Sequence, residues 1–223
     1  MLQFYSLYTV ICNSKNPFLG KDFFIVGGGN SVDHRLSEVL PADMTICINS
    51  SFKVFGNAFA LFWTDSSWFR ENAQAVKDSK IPNKYFIHSN KPSILPSDCN
   101  WLPLKSIKCE YYSKYRFTEH VVGNNTGCST INYLDKMGAR TLYLLGFDCV
   151  QVGGKSHFHN DYTSVMKDER YADTFIPCFK HLYDNLRQVK IINCSPYSQL
   201  KFFKHRHIDM VLKDLNIKRI ERT

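Results

Sequence analysis

What the chain lacks narrows the possibilities first. It has no apolar run of about 18 residues, so no membrane-spanning helix is expected. The apolar start, residues 2–12, has no basic flank and no small-residue cleavage site. It reads as a strand or packing arm rather than a signal peptide. Eight cysteines (Cys12, Cys47, Cys99, Cys109, Cys128, Cys149, Cys178 and Cys194) include no Cys-x-x-Cys pair. Several sit in apolar runs, where a thiol behaves as a small buried hydrophobe. A reducing, cytoplasmic setting is therefore expected rather than a disulfide framework. The chain also lacks Gly-x-Gly-x-x-Gly and a Gly-Lys-Ser/Thr phosphate loop. Acidic residues are in deficit, giving a formal charge of +8, which suits an acidic partner such as a nucleotide sugar, a nucleic acid or an anionic membrane surface.

What is present is an ordinary globular composition, 44% hydrophobic and 22% charged over 223 residues, enough for one sizeable α/β domain. The aromatic share of 14% predicts a ring-rich core. The strongest local signal is Asp22-Phe-Phe-Ile-Val-Gly-Gly-Gly-Asn-Ser-Val32, an apolar strand running into a glycine cluster and a helix start. Glycines at 27–29 permit positive φ and keep Cβ atoms away from a ligand. Ser31 is expected to cap a helix over 32–40, whose N-terminus favours an anion. A glycine run equally suits a tight turn with no ligand.

Further apolar runs follow at 44–49, 59–64, 84–88, 141–145 and 189–194, alternating with helical patterns at 67–80, 126–137 and 171–187. This alternation predicts an α/β fold: a single Rossmann-like, mostly parallel sheet with helices on both faces. Regularity stops between 89 and 123, where Pro92, Pro96 and Pro103 interrupt a Lys-, Ser- and Tyr-rich stretch, read as an irregular, lid-like insertion. The expected organisation is an arm at 1–21, the Rossmann-like domain at 22–200 and a basic tail at 201–223. The tail suits a helix packed on the sheet edge, or a basic amphipathic helix in peripheral contact with a membrane or nucleic acid.

In open α/β sheets ligands collect beyond the carboxyl ends of the strands. Gly29, Asn49, Asp65 and Asp148 fall at such ends, although Asp65 equally suits a helix cap. The polar loop 151–168 carries His157-Phe-His159-Asn-Asp161-Tyr162. An imidazole titrates near neutrality and can take a proton from a hydroxyl. The same His-x-His with Asp161 also suits a metal, or hydrogen bonds to carbonyls.

The order of these motifs resembles the bacterial CMP-sialic-acid-dependent sialyltransferases and the related MptE-like (6-hydroxymethylpterin diphosphokinase-like) Rossmann family, found in archaea, bacteria and phages. Four blocks carry the resemblance: Ile25-Val-Gly-Gly-Gly-Asn-Ser-Val32, Ile46-Cys-Ile-Asn-Ser50, Asn125-Thr-Gly-Cys-Ser-Thr-Ile131 with Gly138-Ala-Arg-Thr-Leu-Tyr-Leu-Leu-Gly-Phe-Asp148, and Val189-Lys-Ile-Ile-Asn-Cys-Ser-Pro-Tyr-Ser198. It implies a nucleotide site built from Gly27, Gly28, Gly29, Asn30, Ser31, Asn49, Ser50, Asn125, Thr126, Gly127, Gly146 and Asp148, to which the strand-end position adds Asp65. It further implies a transferase, foremost a glycosyltransferase, that uses a CMP- or UDP-type sugar donor and acts on an acceptor hydroxyl of a glycan or a modified DNA. The sialyltransferases steady the leaving phosphate with a tyrosine pair after Gly-x-Asp, where this chain has Val150 and Ser156. Their catalytic His precedes the last long helix, where this chain has Glu169-Arg170-Tyr171. His157, His159 and Asp161 are the candidates for the missing catalysis, with Lys155, Tyr162 and Arg170 for the leaving phosphate. The alternatives are an MptE-like diphosphokinase using ATP and Mg²⁺ through Asp65, Asp148 and Asp161, or a non-catalytic nucleotide- or nucleic-acid-binding module.

Overall fold

The computed structural model describes residues 16–89, 95–107, 120–122, 125–161 and 166–218. The expected arm at 2–12 and Tyr162 lie outside them. Ten strands are described: β1 (Asp22–Val26), β2 (Thr45–Ile48), β3 (Ala60–Trp63), β4 (Asn83–Ile87), β5 (Cys99–Leu102), β6 (Lys105–Ile107), β7 (His120–Val122), β8 (Thr141–Leu145), β9 (Lys190–Asn193) and β10 (Lys204–His205). Eight form one sheet in the order β10-β9-β8-β1-β2-β3-β4-β5, with every neighbouring pair parallel. β6 and β7 pair separately, also in parallel.

Successive strand residues point to opposite faces, and both faces are covered. Phe23, Ile25, Ile46, Phe62, Leu142 and Leu144 face one core, closed by α2 (Thr126–Lys136) and by α3, a composite helix over 168–184. Phe24, Val26, Cys47, Leu61, Trp63 and Leu145 face the other, closed by α1 (Ser66–Asp78) and α4 (Ile208–Asp214). The first core is ring-rich, as the composition predicts: Phe18 packs against Phe23, Phe59, Phe62, Tyr85 and Tyr133.

Several expectations are corrected. No α-helix follows the glycine cluster. Residues His34–Glu38 form a 3-10 helix capped by Asp33, whose carboxylate accepts from Arg35 N (3.0 Å) and pairs with the Arg35 guanidinium (2.7 Å). That local bond satisfies the chain two residues on, competing with a regular helix. Ser31 is engaged with Asp148 instead of capping. None of Gly27, Gly28 and Gly29 has a positive φ. The stretch expected to be irregular contributes β5 to the sheet edge and holds β6 and β7. α3 starts at Asp168 rather than 171, and Tyr171–Phe175 is a π-turn within it. Of the basic tail, β10 extends the sheet and α4 buries Val211 and Leu212 against it, the packed-helix reading. Among the described residues no helix is long and apolar enough to cross a membrane.

The register positions the site. Val26 stands beside Leu145 on one side and Cys47 on the other, so the chain leaves β1, β8 and β2 at nearly the same level. From β1 the order runs outward through β2 to β5 on one side and through β8 to β10 on the other. That reversal opens a crevice between the loops that follow β1 and β8.

Candidate functional site

A cleft of about 610 Å³ lies over these strand ends, within the ~300–1,000 Å³ usual for small-ligand sites. Gly27, Gly28 and Gly29 from β1, Asn49 from β2, Asp65 from β3, and Gly146 and Asp148 from β8 all line it. Asn125, Thr126 and Gly127 at the start of α2 and Arg170 on α3 line it too, together with His157. Asn30, Ser31, Ser50, Lys155, His159 and Asp161 are absent from its wall; Lys155 is exposed to solvent, and the others form the layer behind it.

The glycines are required by the crossing of two loops. A Cβ on Gly27 would lie 2.8 Å from the Gly146 carbonyl oxygen, and one on Gly29 would lie 2.6 Å from both that oxygen and Asp148 Oδ2. Gly27 N donates to Leu145 O (2.8 Å) and Gly29 N to Gly146 O (2.9 Å), lacing the loops together. Asp148 completes the tie: Ser31 N donates to Oδ2 (2.9 Å) and the Ser31 hydroxyl to Oδ1. Burial pushes the Asp148 carboxyl above its ordinary pKa, while the two Ser31 bonds oppose the shift. Behind, the Ser195-Pro-Tyr-Ser198 turn fixes the β8 loop. Phe147 N donates to Ser195 Oγ (2.8 Å), Ser198 Oγ donates to Phe147 O (2.6 Å), and Gln199 N donates to Asp148 O (2.9 Å).

The His-x-His segment crosses the glycine turn as a strap. Phe158 N donates to Gly28 O (3.0 Å), and a Cβ on Gly28 would lie 3.0 Å from His157 Cδ2 and 3.2 Å from His159 Nε2. The two imidazoles sit 5.1 Å apart. Asp161 anchors the end of the strap, ion-paired with Lys53 (2.6 Å) and accepting from Ser50 Oγ, which itself accepts from Trp68 Nε1 (2.8 Å). Partial burial alone would raise the Asp161 pKa, but the Lys53 and Ser50 bonds outweigh it and hold the carboxyl below its ordinary range. Burial, aided by neighbouring His159, pushes His157 down to about 4, so its ring is neutral at physiological pH. His159 is lowered as well, chiefly by burial. Its Nδ1 accepts from Asp161 N (3.4 Å). Lys155 is exposed in the 152–155 hairpin, which Asn30 pins by donating to Val152 O (2.9 Å).

The opposite wall went unrecognised in the sequence. Tyr171, Phe175 and Phe179 from α3 and Phe147 after β8 give it an aromatic lining. The Arg170 guanidinium lies 5.9 Å from the Phe175 ring centroid. Phe175 and Phe179 belong with Leu182 and Leu186 to the apolar stripe of the 171–187 helical pattern, and the π-turn carries the start of that stripe over the cleft. Gly127 lets α2 approach this wall, since a Cβ there would lie 2.9 Å from Phe147 Cε1 and 3.2 Å from Phe179 Cζ. Thr64 and Thr126 share a hydroxyl hydrogen bond (2.8 Å) across the cleft floor. Asp65 is the cap of α1, its Oδ1 accepting from Ser67 N (2.8 Å) and Trp68 N (3.2 Å). Among the described residues no group of three or more His, Cys, Asp or Glu side chains is placed to hold a metal ion.

No protein-family profile matches the chain, and no curated protein sequence does. Solved structures do resemble it. The sialyltransferase CstII from Campylobacter jejuni, in complex with the substrate analogue CMP-3FNeuAc, superposes with a TM-score of 0.50 at 14% identity, over 91% of this chain and 91% of that one. The monofunctional α-2,3-sialyltransferase Cst-I from Campylobacter jejuni gives a TM-score of 0.52 at 17% identity, over 86% of this chain and 81% of that one. Similarity at this level establishes a shared fold. It falls on the sialyltransferase side of the resemblance drawn from the motifs, not on the MptE-like side.

Proposed function

We propose that the chain is a glycosyltransferase that draws a sugar from a nucleotide-activated donor seated in this cleft and passes it to an acceptor hydroxyl. The observation that carries the reading is the convergence of four strand ends, the start of α2 and a neutral imidazole on one hollow of ligand size. In the proposed step His157 accepts the acceptor's hydroxyl proton as the oxygen bonds to the anomeric carbon. The bond from that carbon to the donor phosphate breaks, and the departing nucleotide keeps the electron pair. An imidazole near pKa 4 is a weak base by itself, and an anionic donor beside it raises its basicity. The leaving phosphate meets the first-turn amides of α2 at Thr126 and Gly127, which have no carbonyl partner within the helix, and the Arg170 guanidinium. Asn49 and Asn125 are the proposed contacts for ribose and base, beside the aromatic wall. The CMP-3FNeuAc complex of CstII makes a CMP-activated sugar the first donor to test and a UDP-activated sugar the second.

A diphosphokinase would need carboxylates turned toward a common ion. Asp148 instead grips Ser31, Asp161 grips Lys53 and Ser50, and Asp65 caps α1. Isothermal calorimetry with CMP, UDP, GDP and ATP, each with and without Mg²⁺, tests the proposal. Metal-independent binding of a pyrimidine nucleotide, weakened by Arg170→Ala, is expected. Binding of ATP alone, and only with Mg²⁺, would overturn it.

A further inference from the structure

A second feature lies along the rim of the sheet, outside the cleft. A hollow of about 590 Å³ opens between the 150–153 segment and the 196–201 turn, with Tyr197, Gln199 and Lys201 in its wall. A second hollow, of about 510 Å³, continues from it through the shared Pro196 and Lys201, and is walled by Tyr183, Phe202, Lys204 and His205. The first hollow starts one residue beyond the cleft, whose lining includes Asp148 and Cys149, and Gln199 N donates to Asp148 O (2.9 Å). Sharing Pro196 and Lys201, the two hollows adjoin as one trough beside the candidate active site.

The composition of the trough is selective. No Asp or Glu lines either hollow. Lys201 and Lys204 are exposed and form no ion pair among the described residues, whereas nearby Lys180 and Arg206 are matched to Asp184 and Asp214. Tyr197 is 57% exposed and Tyr183 42% exposed. Tyr183 is packed by the half-buried Phe202 ring at 5.6 Å, the Phe203 ring at 5.5 Å and the Lys180 ammonium at 6.0 Å, so Tyr197 is the more open ring of the trough. An open aromatic face at Tyr197, amide and phenol hydroxyl donors, and unmatched ammonium groups are a set that suits a sugar chain bearing carboxylates. A sugar C–H face lies on Tyr197, hydroxyls meet Gln199 and the phenol, and the lysines meet the acid groups. Two lysines neutralise about two phosphates, too few to hold a nucleic acid against physiological salt.

We propose that this trough binds an anionic, carboxylate-bearing oligosaccharide, extending the acceptor side of the cleft; its role in transfer rests on the glycosyltransferase reading, but its binding does not. The test is calorimetry with a galacturonic acid hexamer, with neutral maltohexaose and with a thymidine hexanucleotide as comparators. The wild-type chain is measured beside Lys201→Ser/Lys204→Ser and Tyr197→Ala. All three positions are exposed, and CMP binding in the cleft of each variant, with its circular dichroism, checks that the fold is intact. The expected result is binding of the acidic hexamer over both comparators, with affinity falling roughly five- to tenfold in the lysine pair variant, as two exposed ion pairs contribute. A further loss is expected on raising the salt. The inference is overturned if the acidic hexamer does not bind, if maltohexaose or the hexanucleotide binds as well or better, or if the variants retain wild-type affinity. Nucleotide binding without hexamer binding sinks this inference alone. Hexamer binding without any nucleotide binding sinks the glycosyltransferase reading alone.

Discussion

Gly29 shows how a residue chosen for a ligand by sequence logic is held by its own protein. Its φ is not positive, and the limit on its side chain is the Gly146 carbonyl and the Asp148 carboxylate, each 2.6 Å from where a Cβ would stand. Gly29→Ala therefore forces backbone apart, and a loss of about 1–3 kcal/mol is expected from urea unfolding. Gly56→Ala, where the nearest atom is 3.7 Å away, is expected to stay within about 0.5 kcal/mol of wild type. His157 carries the second prediction at this scale. An unfolded chain binds a proton there near the ordinary value of 6.5, whereas the folded chain binds it only near 4. Between those values the unfolded state holds more protons, so stability is greatest above 6.5 and declines as pH falls toward 4. Removing the ring in His157→Gln is expected to flatten that decline in unfolding measured from pH 7 to pH 4. An unchanged slope would contradict the burial assigned to His157. The glycine cluster, Asn49 and Asp148 were legible at the strand ends from residue type, whereas Thr126, at the start of α2, came from the family resemblance. The clamps on them were not, because Ser31 to Asp148 and Ser50 to Asp161 join residues more than a hundred positions apart.

At the scale of elements, apolar runs located the strands well wherever both faces are buried, as in β1, β2, β3 and β8. β5 escaped because it is an edge strand of mixed exposure, Cys-Asn-Trp-Leu, with Pro96 before it and Pro103 after it. The helix expected after the glycines failed for a local reason, the Asp33–Arg35 bond, and the π-turn in α3 has no sequence signature. One tie between elements was equally hidden. Asp135, buried on the last turn of α2, accepts backbone N–H bonds from Arg187 (3.0 Å), Gln188 (3.2 Å) and Val189 (3.1 Å), fixing α2 to the connection that leads into β9. Asp135→Ala would leave these amides without their acceptor, and a destabilisation of about 3 kcal/mol or more is expected by denaturant titration. Asp135→Asn, which keeps one oxygen, should retain a good part of it. Equal stability of the two variants would mean the carboxylate is not the tie.

At the scale of the whole molecule, the reversal of strand order about β1 and β8 explains why polar strand ends far apart in sequence share one hollow. It also leaves a rim on the β9 and β10 side, where part of the +8 charge is displayed as unmatched lysines. The architecture was readable from alternating patterns because a parallel sheet buried on both faces needs continuous apolar strands. The aromatic wall and the rim trough were not, since both arise from how α3 and the 196–205 segment lie on the sheet. The central claim is that the cleft transfers a sugar with His157 as base. The measurement that tests it most directly is nucleotide release from CMP- and UDP-sugar donors, followed by mass spectrometry with and without an oligosaccharide acceptor, in wild type and His157→Gln. Acceptor-dependent release by the wild type, slowed roughly 10²- to 10⁴-fold in His157→Gln while calorimetric affinity for the nucleotide holds, is the predicted result. Release by His157→Gln at the wild-type rate, or no acceptor-dependent release by the wild type from any donor, would contradict it.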